Sequence, residues 1–117
     1  MTAVTGADVW TPVCRLDDLE VERGVAALVH GQAVAIFRTH DEEVYALSNH
    51  DPFSRASVLA RGIVGTRGDV PFVGSPMHKQ AFDLRTGQCL DDELVHVSAY
   101  QVRVVDGVVQ VGPRRPG

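Results

Sequence analysis

Short apolar runs separated by turn residues dominate this chain. Val25-Ala26-Ala27-Leu28-Val29 and Ala33-Val34-Ala35-Ile36-Phe37 flank His30-Gly31-Gln32. Two such runs around a Gly-containing loop predict a β-hairpin. Val102-Arg103-Val104-Val105 and Val108-Val109-Gln110-Val111 flank Asp106-Gly107. Asp-Gly suits a type I′ turn, which needs positive φ at both central residues. Val44-Tyr45-Ala46-Leu47 predicts a further strand, and Ala81-Phe82-Asp83-Leu84 with Gln88-Cys89-Leu90 predicts a smaller hairpin around Thr86-Gly87. Helix signals are confined to single turns at residues 16–19 and 56–60, the second ending at Gly62. No segment keeps a 3.6-residue apolar period over the length of an average helix. The pattern predicts an all-β, antiparallel sandwich or barrel of short strands.

Length and charge narrow the reading. A chain of 117 residues suits one domain with one core. That domain is expected over residues 8–112, with flexible termini at 1–7 and 113–117. The net charge of -4 lacks the basic footprint of a nucleic-acid binder. No apolar run approaches the roughly 20 residues that span a bilayer. The first ten residues show neither a basic start nor an apolar run of the secretory kind. A reducing cytoplasm is therefore the expected compartment. Cys14 and Cys89 lie far apart and form no C-x-x-C motif. They are expected to be two separate thiols.

The chemistry concentrates in Ser75-Pro76-Met77-His78, followed by Phe82-Asp83 and Gly87. From residue 13 to 111 the chain resembles a Rieske-type domain, which writes this segment as Cys-Pro-x-His and then Phe-Asp-x-x-x-Gly. A Rieske centre takes two Cys on one iron and two His on the other. The family supplies them from a Cys-x-His loop and a Cys-x-x-His loop. Here the first loop aligns as Asp51-Pro52-Phe53, with Asp51 at the cysteine position and Phe53 at the histidine position. In the second loop Ser75 replaces cysteine and His78 alone keeps its type. Asp and Ser are hard oxygen donors and Phe has no donor atom, whereas iron–sulfur clusters are held by soft thiolates. No [2Fe–2S] cluster is expected, and neither cysteine lies in a ligand loop.

A Rieske-like domain of this length without its ligands resembles the small subunit of assimilatory NAD(P)H-dependent nitrite reductase. The long segment between the loops, residues 54–74, and the closing Asp106-Gly107 hairpin agree with that family. The resemblance implies a non-catalytic companion to a large subunit that carries FAD, a [4Fe–4S] cluster and sirohaem and reduces nitrite to ammonium. It implies no cofactor and no metal in this chain. The alternative is a cluster-less Rieske-like adaptor for another reductase or oxygenase. A true Rieske ferredoxin fits the fold and fails on the ligands.

Pro52, Phe53, Pro76, Met77, His78 and Lys79 are the expected partner interface. Phe53 is read as filling the volume that a cluster would take, since interiors do not tolerate voids. Met77 suits either that role or an exposed contact, because Met and aromatic residues are enriched at interfaces. His78 without a partner at ligand spacing is read as a remnant bonded in its loop. Asp91-Asp92-Glu93 reads as a solvated turn. Ser75 lacks the Gly-x-Ser-x-Gly setting of a hydrolase nucleophile.

Overall fold

A computed structural model of the chain describes residues 10–77 and 79–115. Eleven strands run in chain order: β1 (Thr11–Arg15), β2 (Arg23–Val29), β3 (Gln32–Arg38), β4 (Val44–Ser48), β5 (His50–Asp51), β6 (Ala56–Ser57), β7 (Ile63–Arg67), β8 (Val70–Gly74), β9 (Ala81–Asp83), β10 (Ala99–Val105) and β11 (Val108–Arg114). Among the described residues helix is limited to 3₁₀ turns at Leu16–Asp18 and Leu59–Arg61. The strands form three antiparallel sheets. The large one has the order β1-β11-β10-β4-β3-β2, the second β7-β8-β9, and the smallest is the β5-β6 pair. The outer strands β1 and β2 approach each other. Thr11 Oγ1 and His30 Nε2 hydrogen-bond across that join at 3.1 Å, so the large sheet nearly closes into a barrel.

The predicted hairpins form where their turn chemistry allows. In β10–β11, Val105 pairs with Val108, and Asp106 and Gly107 carry φ of 51° and 77°. In β2–β3, Val29 pairs with Gln32, so the turn is the two residues His30 and Gly31. Both have positive φ, as a type I′ turn requires.

The continuous apolar run of β3 has a physical reason. Successive side chains point to opposite faces of a strand, and both faces of β3 are covered. Ala35 and Phe37 join one buried cluster with Leu47, Leu59, Val73 and Phe82. Val34 and Ile36 join the other with Leu19, Val29, Ala46, Val109 and Val111. The first cluster contains residues of both the large sheet and β7-β8-β9. The second is built from residues of the large sheet and Leu19, inside its curve. The core is therefore bipartite, and β3 and β4 are the wall between its halves.

Three expectations are corrected, and one strand pair was not anticipated. The second 3₁₀ turn lies at 59–61 rather than 56–60, because Ala56 and Ser57 pair instead with Asp51 and His50. The segment between the loops contains the β7–β8 hairpin, whose signal is masked by Gly65 and by Pro71 near the start of β8. Pro in a run argues against a strand that needs every N–H. Residues 88–90 make only isolated bridges, such as Phe82 with Cys89. The tail is shorter than expected: β11 continues through Pro113 and Arg114, and the Arg115 N–H donates to Ala99 O at 2.7 Å. Residues 1–7, 116 and 117 lie outside the described residues.

Candidate functional site

Two loops converge beside the first core cluster. The first is the β5–β6 hairpin. Its base is tied down by Asn49, a buried side chain at the end of β4. Asn49 Nδ2 donates to Ser57 O at 3.2 Å, and its Oδ1 accepts from the Ala60 N–H at 2.7 Å. The loop closes with the Arg55 N–H on Asp51 O at 2.7 Å. The second loop leaves β8 at Ser75. It closes with the Ser75 N–H on Gln80 O and the Lys79 N–H on Ser75 O, both at 2.9 Å. His78 lies outside the described residues.

The two cysteine-position residues meet directly. Asp51 is 0% exposed and Ser75 2%, and Ser75 Oγ donates a hydrogen bond to Asp51 Oδ2. The same carboxylate accepts from the Phe53 N–H at 3.0 Å and from Ser54 Oγ at 3.0 Å. Ser75 Oγ accepts in turn from the Met77 N–H at 3.2 Å. A buried carboxylate needs such donors, because an unpaired buried charge is costly. Burial pushes the Asp51 carboxyl upward. The bonds from Ser75, the Phe53 amide and Ser54 outweigh that and hold it below its ordinary value. Asp51 is thus the knot that holds both loops to one another.

The remaining positions divide by burial. Phe53 is half-buried against the first core cluster, its ring centroid 6.0 Å from that of Phe82. Its ring packs on the core beside the loop. Met77 is 62% exposed and stands on the surface. Pro52 is half-buried, and Pro76 and Lys79 are exposed. Asp91, expected in a solvated turn, accepts the Ala81 N–H at 2.8 Å and Arg67 at 3.1 Å. Arg85 forks onto Asp83 at 3.1 and 3.0 Å. Both are tied into the scaffold of the second loop. Cys14 and Cys89 are free thiols in different halves of the core. Burial, and then the charge of Asp18, pushes the Cys14 thiol up. Ser54 was missed from sequence. Its signal is present in Asp51-Pro52-Phe53-Ser54, where an Asp followed by Pro favours a side-chain-closed turn.

The Rieske-like [2Fe-2S] domain family matches residues 9–112. The nitrite reductase (NADH) small subunit of Escherichia coli (strain K12) is 46% identical over 103 residues, which cover 87% of this chain and 95% of that one. The chain belongs to this family. A crystal structure described as an NADH-dependent nitrite reductase small subunit from Mycobacterium tuberculosis superposes with a TM-score of 0.86 at 49% identity, covering 93% of this chain and 96% of the other. A nitrite reductase [NAD(P)H] large subunit from Klebsiella oxytoca is 41% identical over 103 residues, covering 88% of this chain and 11% of that much longer one.

The family's wider name raises the cluster, and the donor set here does not fit it. The two thiolate positions are a carboxylate and a hydroxyl that already satisfy each other. The histidine position of the first loop is Phe53, packed on Phe82. Among the described residues no three His, Cys, Asp or Glu side chains converge as a metal site. The inter-loop tie that iron and sulfide supply in a Rieske centre is made here by hydrogen bonds.

Proposed function

We propose that this chain is the small, non-catalytic subunit of a cytoplasmic NAD(P)H-dependent nitrite reductase and that it binds the large subunit through its paired loop tips. The observation that carries the reading is the 46% identity to a nitrite reductase small subunit over 87% of the chain. Two further facts support it. A segment like this chain occurs within a nitrite reductase [NAD(P)H] large subunit. The Asp51–Ser75 tie keeps the loop tips in a fixed shape without a cluster, which suits a surface meant for docking. In this reading the large subunit carries FAD, [4Fe–4S] and sirohaem, and nitrite is reduced there. The contact is made by Pro52, Phe53, Pro76, Met77, His78 and Lys79, with exposed Met77 as its apolar centre.

Co-purification with the large subunit tests the pairing, read out as nitrite-dependent NADH oxidation with and without this chain. Loss of association, with activity unchanged on omission, overturns it. Met77→Ala tests the surface. Its folding stability is expected to stay within about 0.5 kcal/mol of the parent, as for exposed substitutions. Its affinity for the large subunit is expected to fall about tenfold, as for a central contact. Unchanged affinity would move the interface elsewhere.

A further inference from the structure

A second feature lies away from the loop tips, where the turn after β9 meets the outer ends of β10 and β11. A recess of about 370 Å³ is lined by Thr86, His96, Ser98, Arg114 and Arg115, with Val97 and Ala99 completing the wall. That volume falls at the small end of the range typical of small-ligand sites. Among the described residues no carboxylate lines it. The ion pairs among these residues engage Arg23, Arg38, Arg67 and Arg85; Arg114 and Arg115 join none. In a chain of net charge -4, two adjacent arginines that line one concavity and join no ion pair among the described residues form a local reversal of sign.

The wall is rigidly built. The Arg115 N–H donates to Ala99 O at 2.7 Å and the Val97 N–H to Gly87 O at 2.8 Å. The Ser48 N–H donates to Ser98 O at 2.8 Å, tying the recess to β4. Gly87 has φ of +83°, and a Cβ there would fall 2.0 Å from Val97 O, so only glycine lets the turn approach this closely. The extension of β11 past Pro113 is what brings Arg114 and Arg115 to the recess.

We infer that this recess binds a small oxyanion, of the size of nitrite or inorganic phosphate, on Arg114 and Arg115 with hydroxyl support from Thr86 and Ser98. Guanidinium groups present planar N–H forks that match oxyanions in pairs. The hydroxyls and the His96 ring add further polar groups around the same space. A flat basic face would suit a protein partner better; the concavity and its polar lining favour a small ion. The inference is independent of the loop-tip docking surface.

The test is an amide chemical-shift titration of the full chain at pH 7 and constant ionic strength. Sodium nitrite and sodium phosphate are the probes, and sodium chloride is the shape control. Saturable shifts are expected at Gly87, Ser98, Ala99 and Arg115, with a millimolar Kd. Tighter binding of nitrite would point to the ion in the relatives' names, and tighter binding of phosphate to a phosphate-bearing ligand. The R114A/R115A variant is expected to weaken binding at least about tenfold, the loss of one charge-assisted contact or more. R115E, which keeps the backbone bond to Ala99, is expected to abolish it. Equal shifts with chloride, shifts that do not saturate, or shifts that persist in both variants would leave an adventitious ion only and overturn the proposal.

Discussion

At the loop tips the Asp51 carboxylate is fully buried, and its two oxygens accept from Ser75, Ser54 and the Phe53 amide. At the β10–β11 end Arg114 and Arg115 are exposed, with no ion pair among the described residues. The two regions use charge in opposite ways. A buried charge with every partner supplied is structural, because moving any donor costs the desolvation of the rest. An exposed pair of like charges on a rigid concave wall contributes little to folding and stays available to a ligand. Residue type alone does not separate the two; the partners do.

The comparison breaks first if Asp51 is dispensable. Asp51→Ala leaves Ser75 and Ser54 without their acceptor and unties the loops. It is expected to cost about 3 kcal/mol, the scale of losing several charge-assisted bonds at a buried site. Urea unfolding measures this, and a loss below about 1 kcal/mol would make the tie incidental. Ser75→Ala removes one donor and leaves two, so about 1.5 kcal/mol is expected from the same measurement. If it equals Asp51→Ala, the inter-loop bond carries the whole effect.

Acid sharpens the same point. The Asp51 carboxyl is held below its ordinary 3.8. A carboxyl depressed on folding contributes stability above its unfolded pKa and loses it as pH falls through the folded value. Stability of the parent should therefore drop as pH falls below about 4. Asp91, also depressed, chiefly by the Ala81 N–H and Arg67, adds to that slope. The difference between parent and Asp51→Asn isolates the Asp51 share. Identical acid slopes in the two chains would remove Asp51 from the account.

Much of this was legible in the residues. Asp106-Gly107 and the Gly-containing loop after Val29 announce their turns, and the apolar run 33–37 announces a strand; that both of its faces are buried emerges only from the two core clusters that cover it. The loss of ligand types at 51, 53 and 75 is visible as residue identity. The direct Asp51–Ser75 bond is not, because it joins positions 24 residues apart, and no local pattern encodes which donors meet across two loops. Pro71 and Gly65 hide β7 and β8, which the structure pairs with each other and, through Phe72 and Val73, with Asp83 and Phe82 of β9. The recess is hidden for the same reason. Gly112-Pro113-Arg114-Arg115 has loop composition, and only pairing of Tyr100 with Arg114 draws it into β11.

The smallest expected effect tests the other side of the comparison. If the arginine pair is a ligand site and not a structural one, R114A/R115A should unfold within about 0.5 kcal/mol of the parent in chloride buffer. The two chains should then separate when phosphate replaces chloride at matched ionic strength. An ion that binds only the folded state stabilises it by RT ln(1 + [L]/Kd), which is about 1 kcal/mol at five times Kd. The parent should gain that much and the double variant nothing. Parallel gains in both chains would reflect general salt exclusion at the surface. A large loss in chloride alone would show that the pair supports β11, and the contrast with Asp51 would collapse.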